Sequence, residues 1–292
     1  MNITIKQLEV FLAIAKHENL SKAAEELYIT KGAVSQALQE LERQLNIHLF
    51  DRVHPNIRLN HEGKRLRPLA DEILHRMKEV NNLFNKEKEH FLKIGVSKTI
   101  GTHILPRLFA NFQENFHWLP KAYIANTTEL LELLETFTVD AILLEGYVNH
   151  NEINIEPWLD DEMAVFSHKN HKLADGKTHK IQELKGENWI LREPNSGTRE
   201  FFEQSLGQLI YPYEVTQTLD TPESVLGMVE QGLGITFISK LIAELPKNED
   251  RFGIIQLDKK FTRTLSICYH KKKYHSQSMD QFLNFCRVWQ LS

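Results

Sequence analysis

Between Thr30 and Leu45 the chain sets Lys31, Gly32, Ser35, Gln36, Gln39 and Arg43 opposite an apolar stripe of Val34, Leu38, Leu41 and Leu45. The stripe has the period of one helix face. Small, amide and cationic side chains with no carboxylate before Glu40 suit the major groove of DNA. A Gln amide bonds bidentately to an adenine edge, Gly and Ser let a helix lie close to the bases, and capping hydroxyls and free N–H groups at helix starts hold phosphates. A second polar set lies further along: Ser97, Lys98 and Thr99; Thr127 and Thr128; Glu145; Arg192, Ser196, Thr198 and Arg199; and Thr221. Each group follows a strand-like run or opens a helical one. Hydroxyls, N–H groups and cations gathered at strand ends are the chemistry of a site for a small polar, anionic ligand. Taken singly, each residue reads equally well as a solvated helix face or an ordinary cap; five such loops together point to a cleft.

The elements that must position the first set are short helices. Leu8, Phe11, Leu12 and Ala15 give a first amphipathic helix with one buried face. Ser21 stands where an N-cap would, before a short helix whose Ala23 and Ala24 allow a close crossing, and Thr30 caps the third. Helix, tight turn, helix is followed by residues 49–59, a β-like stretch with a Pro-Asn turn that reads as a wing. Arg52 and Arg58 flank that turn and would face phosphate or a minor groove. Residues 28–68 hold seven Lys or Arg against four acids, a modest basic patch. Asn60 can cap a long helix running to about residue 89, in which Leu66, Leu69, Ile73, Met77, Val80 and Phe84 form a near-heptad seam. Such a seam wants a partner, and a dimer would present two recognition helices to a two-fold site; packing on its own domain is the alternative.

From residue 91 onward strand-like and helical runs alternate. Strands are expected over 91–97, 122–125, 140–144, 188–191, 213–219, 234–238, 253–257 and 265–269, with helices over 104–116, 128–137, after 198, over 222–231 and over 276–289. This alternation predicts a mainly parallel sheet covered by helices, in two lobes. The expected organisation is a winged helix-turn-helix over 1–60, a linker helix over 61–90, and an α/β domain over 91–292 whose first lobe takes 91–163 and 264–292 and whose second takes 164–263.

These residues resemble a known family. Residues 8–15, Ser21-Lys22-Ala23-Ala24, Leu27, residues 34–38, Leu41-Glu42, Leu45, Leu49-Phe50-Asp51-Arg52 and residues 59–63 look like the DNA-binding end of LysR-type transcriptional regulators. The pattern departs at Lys31-Gly32, where the family often has Gln-Pro, and at Asn60, where Thr is usual. Residues 97–101 before Leu105-Pro106, residues 126–129, 140–146, 189–200 and 231–235 resemble the family's effector domain, which is similar to periplasmic solute-binding proteins. The likeness is strongest to the branch regulating sulfur assimilation and carbon fixation. It implies promoter DNA and a small anionic metabolite as partners, a homodimer or homotetramer, and RNA polymerase as a further candidate partner. It implies no catalysis and no cofactor.

Composition agrees. The 292 residues are 41% hydrophobic and 25% charged, with a formal net charge of −4. Residues 1–90 carry a net +1 and residues 91–292 a net −5, so the acidic surplus belongs to the second part. No basic and apolar leader and no long apolar run is evident, and with two cysteines the expected setting is cytoplasmic and reducing. Cys268 and Cys286 are expected to be buried thiols, His168 and His171 to be an H-x-x-H pair without further metal ligands, and Lys271-Lys272-Lys273 a solvated turn. No nucleophile elbow, P-loop, G-x-G-x-x-G or carboxylate pair at a strand end supports an enzyme.

Overall fold

The computed structural model describes residues 2–53, 56–84, 90–146, 150–242 and 251–290; of residues 52, 53 and 56 it describes the backbone alone. The chain opens with α1 (Ile5–His17), α2 (Leu20–Glu26) and α3 (Lys31–Leu45). A capping box starts α1: Thr4 Oγ1 accepts from Gln7 N, and the Gln7 side chain accepts from Thr4 N at 2.7 Å. Thr30 Oγ1 accepts from Ala33 N at 3.2 Å at the start of α3, as the sequence suggests. Ser21 is not the cap of α2. That place belongs to Asn19, whose Oδ1 accepts from Ser21 N and Lys22 N, because α2 begins at Leu20, two residues before the start that a Ser21 cap would give. Nor does α1 bury one face only. Gln7, Leu8, Val10, Phe11, Ala13, Ile14 and Ala15 are all buried, since α1 lies between α2 and α3 on one side and a fourth helix on the other.

Strands β1 (Phe50–Val53) and β2 (Asn56–Leu59) pair antiparallel, with Phe50 opposite Leu59 and Arg52 opposite Ile57. The tip of this wing, His54-Pro55, lies outside the described residues. Helix α4 (His61–Asn82) follows, capped by Asn60, whose Oδ1 accepts from Gly63 N at 2.9 Å and whose Nδ2 donates to His48 O. The expected continuation over 85–89 lies outside the described residues.

The rest of the chain contains β3 (Lys93–Ser97), α5 (Lys98–His103), α6 (Leu105–Phe116), β4 (Lys121–Ala125), α7 (Thr127–Glu135), β5 (Ala141–Glu145), β6 (Ile153–His168) and β7 (Thr178–His179). After them come β8 (Asn188–Arg192), α8 (Gly197–Gln204), α9 (Leu206–Ile210), β9 (Glu214–Leu219), α10 (Pro222–Glu230), β10 (Thr236–Ser239), β11 (Phe252–Leu257), β12 (Phe261–His270) and α11 (Gln277–Val288). The large sheet runs β4-β3-β5-β12-β6-β11-β7, with β10 also on β6. It is mixed rather than mainly parallel. The pairs β3-β4, β3-β5 and β11-β7 are parallel, whereas β12-β5, β12-β6, β10-β6 and β11-β6 are antiparallel; β8 and β9 form a separate two-stranded parallel sheet. The sixteen-residue β6 accounts for the difference. Its middle, Pro157 to Glu162, holds three acids and a proline and lacks the apolar run that marked the other strands.

Two cores flank the β6-β12 ladder. Ile94, Val96, Leu108, Phe112, Leu143, Ile267, Phe282 and Leu283 fill one, and Val165, Leu184, Trp189, Leu191, Phe202, Phe237 and Phe261 the other. Both cysteines are buried; burial pushes the Cys268 thiol up to about 12 and that of Cys286 up also. The three-lysine turn departs from expectation. Lys271 and Lys272 are exposed, but Lys273 is buried, its ammonium 2.7 Å from carboxylate oxygens of Asp71 and Asp140. A cation inside the protein requires such partners.

Gly63 sits in the first turn of α4 against the wing, where a Cβ would stand 2.2 Å from the Leu49 carbonyl oxygen and 2.5 Å from Leu59 Cδ2. Gly63→Ala therefore overpacks this junction and should destabilise the amino-terminal helical head by about 1–3 kcal/mol. A thermal melt of the full chain checks this, and an unchanged head transition would show that the two elements separate freely.

Candidate functional site

Helix α3 buries Val34, Leu38 and Leu41 and exposes Lys31, Gly32, Gln36, Gln39 and Arg43, with Ser35 half-buried between the two sides. The polar face anticipated for the major groove is thus free of its own domain. Arg43 is engaged locally: Nε and Nη2 donate to the two Glu40 carboxylate oxygens at 2.8 and 2.6 Å, and this pairing holds Glu40 at about 2. Ser21 and Thr30 are exposed at neighbouring helix starts, with the Thr30 hydroxyl occupied as a cap. On the wing, exposed Arg58 lies 3.4 Å from Glu18, the residue that ends α1 as its C-cap; the Arg52 side chain is outside the described residues. Sequence reasoning passed over Tyr28, which has a left-handed φ of 54° in the turn before α3 and is 96% exposed. An aromatic at a turn position, where the small polar residues common in turns are expected, was the available signal.

The second site lies between the two cores. Ser97 ends β3, Thr99 lies in the first turn of α5, Glu145 ends β5, and Ser196 and Thr198 open α8; all five are buried. The Ser97 hydroxyl donates to Glu145. Gly197 packs so closely on the end of β5 that a Cβ would stand 2.4 Å from the Glu145 carbonyl oxygen, which is why the second lobe can touch the first there. Ser196 Oγ accepts from Arg199 N at the start of α8.

The cations distribute unevenly. Lys98 Nζ donates to Glu193 Oε1 at 3.2 Å and to the Asp220 carbonyl at 2.6 Å, and buried Arg192 grips the same Glu193 through Nε at 2.8 Å and Nη2 at 3.1 Å. Glu193 therefore engages two of the residues expected to meet an anion, and the trio keeps one positive charge in excess. Arg199 pairs with Glu203, leaving its Nη1 buried without a hydrogen-bond partner among the described residues. Thr127 is buried with its hydroxyl likewise unpaired, whereas Thr128 faces solvent and Thr221 is occupied in capping α10.

Arg263 was missed. It lies on β12, is 3% exposed, and donates through Nη1 to Thr198 Oγ1 at 3.0 Å and through Nε to Asp161 Oδ2 at 2.8 Å. Asp161 also accepts from Ser239. The Arg263 Nη2 has no hydrogen-bond partner among the described residues, and the side chain lines a cavity of about 620 Å³ with Gly146, Glu200, Phe201, Thr264 and Ser266. Burial, then the charge of Glu203, pushes the Glu200 carboxyl up. Among the described residues no group of three or more His, Cys, Asp or Glu could hold a metal ion.

An exposed polar recognition helix beside a wing, a long linker helix and a two-lobed α/β unit with a polar cleft define a DNA-binding transcriptional regulator with an effector-binding domain. Residues 5–64 match the bacterial regulatory helix-turn-helix protein model of the lysR family, and residues 85–290 match the LysR substrate binding domain. The chain belongs to the LysR family of regulators. It is 33% identical to the HTH-type transcriptional regulator YeiE of Escherichia coli, covering 98% of each chain. It is 28% identical to the HTH-type transcriptional regulator CysL of Bacillus subtilis, over 96% of this chain and 95% of that one. Identity is also 28% to the RuBisCO operon transcriptional regulator of Allochromatium vinosum, over 88% and 86%. These relatives agree with the branch the sequence resembles, and they are regulators rather than enzymes. Full-length OxyR from Pseudomonas aeruginosa shares the fold at a TM-score of 0.72 and 19% identity, over 99% of this chain and 96% of that one. The Synechocystis CcmR regulatory domain, solved in complex with 2-PG, does so at 0.64 and 20% identity, over 68% and 97%.

The two kinds of DNA contact should separate on mutation. Gln36→Ala is expected to relax base preference at one position, costing about 1–3 kcal/mol against the preferred sequence, while Arg58→Ala weakens all sequences alike. Binding to a randomised operator library measures both; equal effects on preferred and scrambled sites would refute the division.

Proposed function

We propose that this chain is a cytoplasmic regulator whose hold on promoter DNA is modulated by a small anionic metabolite bound between the two lobes of residues 91–292. Residues 1–60 read DNA, through Ser21, Thr30, Lys31, Gly32, Ser35, Gln36, Gln39, Arg43, Arg52 and Arg58. Residues 61–90 pair two copies. The observation that carries the ligand reading is the buried guanidinium of Arg263, which shares Thr198 with the start of α8, has an N–H left over and lines a cavity of mixed polar and apolar residues. A buried donor without a partner costs free energy unless a ligand or water completes it. An oxyanion, carboxylate or phosphate meets that need. The unpaired Thr127 hydroxyl and Arg199 Nη1 add donors of the same kind. The CcmR domain solved with 2-PG is a precedent for a small anion in this fold. Next to that cavity the proposed site takes in the buried cluster of Ser97, Thr99, Glu145, Ser196 and Thr198, with Lys98 and Arg192 held by Glu193 and with Thr128 and Thr221 as further candidate contacts.

Pairing is supported by α4 and the turn after it, where Leu69, Ile73, Met77 and Val80 on the helix and Leu83 and Phe84 just beyond it are all exposed, Phe84 by 89%. An apolar row of this length on a helix is buried by a second copy, giving a homodimer or, with effector-domain contacts, a homotetramer. RNA polymerase is the candidate further partner. Among the described residues no helix is long and apolar enough to cross a membrane.

Purified protein is expected to protect a site with dyad symmetry in footprinting, with affinity falling roughly 10³-fold between about 50 and 200 mM salt; protection without sequence preference would overturn the regulatory reading. Calorimetry with sulfate, phosphate and 2-PG tests the cleft separately. Thr99→Ala and Thr198→Val should each weaken the best-bound anion roughly 10-fold, and unchanged affinity in both removes these residues from the site.

A further inference from the structure

The buried Lys273 lies just beyond the end of β12, yet one of its two carboxylate partners, Asp71, belongs to α4 and the other, Asp140, immediately precedes β5. His75, one turn after Asp71, lies 3.5 Å from both carboxylates, its Nδ1 toward Asp71 and its Nε2 toward Asp140. Asp140 also fixes the start of β3, accepting from Lys93 N at 2.7 Å and donating its own N–H to Lys93 O. One ammonium thus joins the linker helix to three strands of the effector domain. Burial alone would push the Lys273 ammonium down, but the charges of Asp140 and Asp71 outweigh it and hold it up; the charge of Lys273 and the His75 contact likewise outweigh burial and hold the Asp140 carboxyl well below its usual range. The cluster is charged and its side chains are largely buried.

The same strands reach the cleft at their other ends. Asp140 precedes β5 and Glu145, which accepts from Ser97, ends it, about 17 Å away at strand rise. Antiparallel to β5 runs β12, with Leu265 opposite Glu145 and Cys268 opposite Ile142, so Arg263 lies at the cleft end and Lys273 at the linker end. Helix α4 meets the effector domain along one face: Arg67 donates to Glu135 O, Asp71 and His75 enter the cluster, Glu79 accepts from Tyr274, and Arg76 lies over the Tyr274 ring at 4.2 Å. Arg67 also donates to Ala15 O of α1, so this face is tied to the DNA-reading head.

We propose that the Lys273, Asp71, Asp140 and His75 cluster is the joint through which the state of the inter-lobe cleft is passed to the DNA-reading head, with β5 and β12 as the connecting strands. A shift of either strand relative to the other must move the ammonium against its two carboxylates, and α4 follows because a buried charge cannot be left unpaired. The inference rests on the reading of the chain as a DNA-binding regulator, and the wild-type affinity measured alone tests that reading separately.

A double-mutant cycle tests the joint without knowledge of the metabolite. DNA affinity is measured for the full-length wild type, Thr198→Val at the cleft, Asp71→Asn at the joint, and the double variant, on a fragment selected from a random pool by the wild type. Distant sites without a connecting element add to within about twofold. The expected result is a departure from additivity of roughly threefold or more, with the effect of Thr198→Val reduced once Asp71 is changed; additivity overturns the proposal. Should Asp71→Asn fail to fold, hydrogen exchange on Thr198→Val alone decides. Altered exchange in α4 around residues 71–79 supports the joint, and exchange in α4 identical to wild type overturns it.

Discussion

The ladder between β6 and β12 is the constraint from which the rest of the effector domain follows. The two strands pair from Phe261 opposite Met163 to His270 opposite Ile153, and both hydrophobic cores are built against this one ribbon. Because the cores share a pair of strands rather than a flexible hinge, the lobes cannot rotate without bending backbone hydrogen bonds. The ladder has one irregularity, between Leu265 and Ser266, and it falls beside the cleft. A bulge at that place locally loosens register and increases twist, so the ribbon is most deformable where a ligand would act on it.

Around that ribbon, charge is used in two different ways. At the cleft, Arg263 sits between Asp161 and Thr198 with one N–H left over, an arrangement completed by an added group. At the linker, Lys273 sits between two carboxylates, with its ammonium also over the Phe137 ring. Removing one partner of a buried ion pair costs roughly 3–5 kcal/mol, comparable with much of the stability of a domain.

The head was legible because each of its elements is a short amphipathic helix with a cap or a paired hairpin, and helical spacing survives in a sequence without knowledge of neighbours. Where reading failed, the deciding partner was remote in sequence. Nothing local marks residues 157–162 as strand, because the acids there are satisfied by Arg263 and Lys240 more than seventy residues away. Lys273 reads as solvated until Asp71 and Asp140 are brought to it. Lys98 and Arg192 look like free cations until Glu193 is seen to hold both. Ser21 differs for a local reason: Asn19, two residues earlier, is also a capping residue type, and where the first turn begins decides between them.

The modest charge of the head gives this architecture its logic. Residues 28–68 carry seven cations against four acids, and Arg43 and Arg58 are already near Glu40 and Glu18 in the free protein. One such head gains little from counterion release, since few cations are free to meet phosphate. Tight binding then requires two heads on one duplex, and the second contact contributes only if its distance and rotation match the half-sites. The orientation of α4 sets that match. A small change in how α4 seats on the effector domain can therefore change the hold on DNA by more than the loss of any single contact, without altering a residue on the recognition helix.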